Sequence, residues 1–227
     1  MIIDGRQRDI ARIALAAAGR KYGVAFAGGG ALQLHEVSTR RTQDVDLFVR
    51  KAGNVARAAD VIAGALTRAG YRVEPVPGAD RAWPSLDAEL REFEVFPPGG
   101  GDPVQVQVAH FDYSGTVPTD VGPAVTLEYL AARKTVALLE RHRVRDYVDI
   151  ASLVDAGYGL RRLVGMAFAE EPSLTAEDVG DAGVHLDRAV TDERLARELP
   201  PGKTPAWVRG AFAAWPRQPV HPDDPLG

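Results

Sequence analysis

The chain contains no cysteine, which excludes disulfides, cysteine-ligated zinc and thiol nucleophiles and suits a reducing compartment. It also lacks any apolar run of the roughly 18 or more residues that a membrane-spanning helix requires. The apolar residues near its start are interrupted by Arg6, Arg8, Asp9, Arg12 and Arg20, so no signal peptide is expected, and a cytoplasmic location without a membrane partner is. There is no internal repeat and no low-complexity tract. Excess positive charge is missing too: 27 Lys and Arg stand against 31 Asp and Glu, a net charge of -4. That argues against a chain that coats nucleic acid indiscriminately, although a local basic face can still bind it. At 227 residues, 45% hydrophobic and 26% charged, the chain can bury a core in one domain or in a domain with an appended lobe.

The periodicity predicts a helix over Gly5 to Tyr22, with Ile10, Ile13, Ala14 and Ala17 at helical spacing and Asp4 as its N-cap. Val24 to Ala27 reads as a strand that Gly28-Gly29-Gly30 breaks. Ala31 to His35 then starts a short helix whose free N–H groups face the strand end, with His35 packed beside it. Val45 to Val49 is a second strand. Asn54 caps a helix to about Ala69, which Gly70 ends, and Tyr71 to Glu74 is a third strand. Phe93 to Phe96 and Val104 to Val108 alternate as strands around the turn residues Pro97 to Pro103, and the core sheet is expected to end there. From Leu127 the pattern is helical, over Leu127 to Arg141, Val144 to Ala156, Arg161 to Ala169 and Trp207 to Trp215. Pro216 to Gly227 has four prolines and little to bury, so an extended or disordered tail is expected.

Chemistry concentrates in two blocks. In Arg40-Arg41-Thr42-Gln43-Asp44-Val45-Asp46-Leu47, alternation along a strand turns Asp44 and Asp46 to one side and Val45 and Leu47 to the other, toward a core. Two carboxylates on one side outline a divalent-metal site. Magnesium is usually held by one or two carboxylates together with substrate phosphates, and the nearby glycine turn offers backbone N–H groups to those phosphates. In the second block, Lys134, Leu138 and Arg141 share one helix face, and Asp146, Asp149 and Leu153 share a face of the next helix. A lysine facing a triphosphate neutralises charge building on the transferred group and its leaving group, and Lys134 is the residue expected to do so.

Together the two blocks resemble the AbiEii/AbiGii family of nucleotidyltransferase toxins, within the superfamily that shares a DNA-polymerase-beta-like catalytic core. The order of motifs over roughly Val24 to Leu153 carries the resemblance: Gly28-Gly29-Gly30, then Arg41-Thr42-Gln43-Asp44-Val45-Asp46, then Lys134 with Ala137, Leu138 and Arg141, then Arg145-Asp146-Tyr147-Val148-Asp149-Ile150. It implies an α/β (α+β) fold, with a mixed β-sheet core flanked by helices and a helical C-terminal lobe. Residues 1–125 would form the catalytic core, 126–215 a helical lobe completing the active site, and 216–227 the tail. It further implies that Asp44 and Asp46 bind Mg2+, as one ion or two, and that Asp44, Asp46, Lys134 and Asp146 are catalytic. The nucleotide-binding residues would be Gly28, Gly29, Gly30, Arg41, Thr42, Lys134, Arg145 and Asp149. The implied activity is transfer of a nucleoside monophosphate from a nucleoside triphosphate to an acceptor, foremost the 3′ end of tRNA, by a toxin with a cognate antitoxin. A protein, a small molecule such as an aminoglycoside, or a nucleotide-binding module without catalysis are the alternatives.

Two departures from the family pattern stand out. Gly30 stands where the family has a hydroxyl residue, and Gln105 and Gln107 stand on the strand that often carries a third carboxylate. Glutamine cannot serve as a general base, which leaves Asp146, Glu94 or a substrate phosphate to take the proton. The run Arg133, Lys134, Arg141, His142, Arg143 and Arg145 is either a solvated surface or a patch for RNA phosphates. Trp83, Trp207 and Trp215 are expected as core or interface anchors.

Overall fold

Helix α1 (Gly5–Tyr22) forms where both of its ends are satisfied. The Asp4 side chain accepts from the Arg6 N–H at 2.8 Å, and Gly23, with φ 62°, turns the chain out of the helix. The computed structural model describes residues 4–76 and 90–221; Trp83 and the end of the tail, 222–227, lie outside them. The chain divides into two units, Met1–Leu34 with Thr42–Thr126, and His35–Arg41 with Leu127–Gly227.

The first unit is a mixed sheet with helices. After α1 come β1 (Val24–Phe26), α2 (Gly28–Leu34), β2 (Asp44–Val49), α3 (Val55–Arg68), β3 (Arg72–Pro75), β4 (Leu90–Phe96), β5 (Val104–His110), β6 (Thr116–Pro118) and β7 (Pro123–Val125). The strand order is β3-β4-β5-β2-β1-β7-β6. The β2–β5 and β1–β7 pairs are parallel, and the other neighbours are antiparallel. Thus the sheet does not end at β5: the chain returns to the far edge and adds β7 beside β1. Strands β6 and β7 have three residues each, and one ends and the other begins on a proline, Pro118 and Pro123, so they carry no period that could announce them.

Alternation is strict where the site lies. Val45, Leu47 and Val49 of β2 and Val106 and Val108 of β5 are fully buried, while Asp44, Asp46, Gln105 and Gln107 are half-buried on the other face. Helices α1 and α3 pack on each other and on the strands, adding Ile10, Ala14, Leu15, Ile62 and Leu66 to this core. Asn54 takes the N-cap position of α3, but its side chain makes no capping bond; its carbonyl accepts from the Ala58 N–H at 2.8 Å. Helix α2 begins at Gly28, three residues before its expected start.

The second unit is helical: α4 (Leu127–Arg141), α5 (Val144–Asp155), α6 (Leu160–Glu170), α7 (Ala176–Ala189), α8 (Asp192–Glu198) and α9 (Pro205–Ala211). Its core gathers Leu130, Leu138, Leu139, Tyr147, Ile150, Leu163, Leu186, Phe212 and Trp215. The capping box of Thr175 and Asp178 opens α7. Residues 216–221 form no helix and lie along α7, where the Val220 N–H donates to the Ala176 carbonyl and Arg217 pairs with Asp187 at 2.9 Å.

Candidate active site

In the first unit the glycine turn meets the second aspartate of β2. The Ala27 N–H donates to the Asp46 backbone carbonyl at 2.9 Å, tying the turn to the strand. Gly28 has φ +64°, and a Cβ built on it would fall 1.6 Å from Asp46 Oδ2. No other residue type fits: the left-handed backbone disfavours a side chain, and the carboxylate already fills its space. Backbone and carboxylate therefore share one small volume, the arrangement needed where a chelated phosphate must approach a peptide closely. At Gly30 a Cβ would come within 2.6 Å of the buried Phe26 ring. Phe26 occupies the room that a hydroxyl side chain would need, which accounts physically for this departure from the family pattern.

Asp44 and Asp46 share the half-buried face of β2, about 7 Å apart along the strand by ordinary strand geometry. The pairing places Gln105 beside Asp44 and Gln107 beside Asp46 on β5, then Glu94 beside Gln105 and Glu92 beside Gln107 on β4. Gln107 Nε2 donates to Glu92 Oε1 at 2.8 Å. Asp44 and Asp46 offer hard oxygens, which suits magnesium. Among the described residues no group of three or more His, Cys, Asp or Glu could hold a metal unaided.

In the second unit the two adjacent helices do bring acid and base together. Asp149, 1% exposed, receives Lys134 Nζ at 2.7 Å on Oδ2 and Arg40 Nε at 2.9 Å on Oδ1. Arg40 Nη2 reaches Oδ2 at 3.3 Å, and Arg40 Nη1 stands 3.5 Å from Glu198. Burial pushes the Asp149 carboxyl up, but Lys134 and Arg40 outweigh it and hold the group below the usual carboxylate range. Asp146 is wholly buried, and Arg141 grips both its oxygens, at 2.8 and 3.0 Å. This hydrogen-bonded pairing raises the Arg141 pKa above its ordinary value.

Of the remaining expected site residues, Arg41 is exposed, Arg145 is half-buried on α5, and the Thr42 carbonyl accepts from Gln7 at 2.9 Å. Arg133 pairs with Glu170 at 3.9 Å, so three of the six residues in the basic run face carboxylates. Trp207 donates to Asp155 at 2.9 Å, and Trp215, 2% exposed, to the Val179 carbonyl at 2.8 Å. Sequence reasoning missed Arg40. The Arg40-Arg41 doublet offered two candidates, the motif spacing selects Arg41, and only the fold seats Arg40 on Asp149.

A glycine turn locked to an Asp-x-Asp strand of a mixed sheet is the arrangement that the resemblance to nucleotidyltransferase toxins implies, and comparison with known proteins agrees on the family. JHP933 from Helicobacter pylori has a similar fold, with TM-score 0.57, 13% identity, and 92% of this chain and 89% of that one covered. So does MenT4, a nucleotidyltransferase toxin from Mycobacterium tuberculosis, with TM-score 0.57, 16% identity and 91% and 82% covered. No curated protein matches the chain. The model of the nucleotidyl transferase AbiEii toxin family, of type IV toxin–antitoxin systems, matches residues 10–210, and the chain belongs to that family. It is a nucleotidyltransferase.

Proposed function

We propose that the protein is the toxin of a toxin–antitoxin pair and transfers a nucleoside monophosphate from a nucleoside triphosphate, with Mg2+, to the 3′ end of tRNA in the cytoplasm, restrained by a cognate antitoxin protein. One observation carries the reading: the Gly28 backbone is held against the Asp46 carboxylate, so an ion on Asp44 and Asp46 and a phosphate on the turn would be neighbours. Asp44 and Asp46 would hold Mg2+ through their carboxylate oxygens. When bound, the ion supplies charge neutralisation on the phosphates and alignment of the α-phosphorus with the attacking hydroxyl.

The chain's own residues do the rest. The acceptor oxygen bonds to the α-phosphorus as pyrophosphate leaves, and the hydroxyl proton passes to an oxygen base, a role closed to Gln105 and Gln107. We assign the phosphate contact to Lys134, which keeps two N–H groups beyond the one given to Asp149. Asp149 and Arg40 hold that lysine in place. Asp146, with both oxygens bound by Arg141, serves as an anchor between α4 and α5 and not as the base. Arg41, Thr42 and Arg145 are the remaining nucleotide contacts in this reading.

Total tRNA, Mg2+ and each α-labelled nucleoside triphosphate in turn, with wild type and Asp46→Ala in parallel, test the acceptor. Label on tRNA from wild type alone supports the reading and names the nucleotide. Label on the protein itself, on a cell-extract protein or on an aminoglycoside, with none on tRNA, replaces the acceptor.

A further inference from the structure

The geometry points to a surface for an RNA phosphate backbone at the far end of β2, formed by Arg20, Lys21, Arg50 and Lys51. The inference rests on the proposed RNA acceptor and names residues of the first unit that receive it. Chain pairing brings the four together. Val24 of β1 lies opposite Val49 of β2, and the Arg50 N–H donates to the Gly23 carbonyl at 3.0 Å. The end of α1, with Arg20 and Lys21 in its last turn, thus meets the end of β2. Tyr113 fixes the same corner: its hydroxyl donates to the Gly23 carbonyl at 2.6 Å, and the Arg50 guanidinium stands 5.8 Å from the centre of its ring.

All four cations are exposed, and none of them pairs with a described carboxylate. Exposed cations elsewhere in the chain take acidic partners: Arg12 meets Asp9 at 3.2 Å, Lys203 meets Asp155 at 2.6 Å, and Arg209 meets Asp192 at 2.7 Å. The helix dipole favours cations in a last turn, which accounts for Arg20 and Lys21 but not for Arg50 and Lys51 beyond the strand. The first turn of α3 adds no acidic residue, and Asp112, next to Tyr113 in sequence, leaves the corner with an excess of positive charge. Alternation continues Asp44, Asp46 and Phe48 to Arg50, about 13 Å from Asp46 along the strand. An RNA whose 3′ end reaches Asp46 therefore has backbone phosphates within reach of the corner, where such contacts position it without reading its sequence. The run from Arg133 to Arg145 offers less, since Arg133, Lys134 and Arg141 already face carboxylates. An aminoglycoside, itself a polycation, is repelled by the corner, so the same charge selects among acceptors.

The test is binding of fluorescently labelled tRNA to the full chain, followed by anisotropy from about 50 to 200 mM salt. Arg50→Gln with Lys51→Gln, and separately Arg20→Gln with Lys21→Gln, should each weaken binding at least about tenfold at the lowest salt. Each pair should also flatten the slope of log affinity against log salt by about 1.4–1.8, two contacts at about 0.7–0.9 each. A control pair, Arg12→Gln with Arg197→Gln, changes net charge equally at positions that have acidic partners and should bind as wild type. Affinity for a nucleoside triphosphate with Mg2+, measured by calorimetry, should keep its wild-type value in every variant. Wild-type tRNA affinity and slope in both corner pairs overturn the inference and leave the tRNA acceptor standing. So does equal weakening in the control pair, which makes net charge the cause, or a loss of nucleotide affinity alongside that of tRNA in both corner pairs. A wild-type chain that labels another acceptor and does not bind tRNA overturns the acceptor and the inference together.

Discussion

Replacing Asp149 by asparagine keeps its volume and removes the one charge that Lys134 and Arg40 share. The carboxylate is 1% exposed, and the two cationic side chains are 13% and 9% exposed, so solvent offers little compensation. Breaking a buried ion pair by removing one partner costs about 3–5 kcal/mol. Glu198, 3.5 Å from Arg40 and 39% exposed, remains as a partial counter-charge and puts the expected cost near the lower end, about 3 kcal/mol. For a chain of this size that lowers the melting temperature by about 6–12 °C. Urea unfolding followed by the fluorescence of Trp215, buried in the same unit, measures it.

The pH dependence is a second readout of the same group. Asp149 has a folded pKa below its unfolded one, so its contribution is complete above the ordinary carboxylate pKa and is lost as pH falls through the folded value. The advantage of wild type over Asp149→Asn should therefore be constant from about pH 5 to 8 and shrink below about pH 4. A cost under about 1 kcal/mol, or an advantage undiminished between about pH 5 and pH 3, would refute the buried-triad reasoning.

Gly28→Ala should abolish nucleotide binding in calorimetry, because its Cβ falls on Asp46 Oδ2, and should cost at least about 1 kcal/mol from its left-handed φ. Gly30→Ser restores the family's hydroxyl yet should destabilise by about 1–3 kcal/mol in urea unfolding. A second change, Phe26→Leu, should recover part of that loss, since the Phe26 ring is what the new Cβ meets. Arg141→Met strands a fully buried Asp146; with Arg141 37% exposed, the expected loss in thermal unfolding is about 2–4 kcal/mol.

Local signals decided which elements were legible in the sequence. Helix α1 has an N-cap aspartate, a C-terminal glycine and a continuous apolar stripe, and its observed limits are the expected ones. The Asp44 to Val49 alternation likewise assigned both faces of β2 correctly, because one side had to be buried. Short β6 and β7 are held by pairing across the sheet and had no period to read. Helix α7 was missed because Gly180 and Gly183 interrupt its pattern; at Gly183 a Cβ would meet the Pro216 carbonyl oxygen at 2.1 Å. Helix α8, seven residues long, was missed as well. The placement of the Asp-x-Asp pair on one face of β2 and of the glycine turn after β1 was legible because motif order and strand alternation agree. Arg40 and the Glu92–Gln107 bond were not, since each depends on a partner far away in sequence.

The most direct test of the account follows pyrophosphate formation from α-labelled nucleoside triphosphates in the presence of Mg2+ and tRNA, with wild type and Asp46→Asn side by side and their folding compared by circular dichroism. Asp46 sits on the half-buried face of β2, outside the valine core, so the variant should keep its fold. Pyrophosphate and labelled tRNA from wild type, and neither from an equally folded Asp46→Asn, is the expected result; transfer by Asp46→Asn at the wild-type rate would contradict the assignment of the metal to this strand.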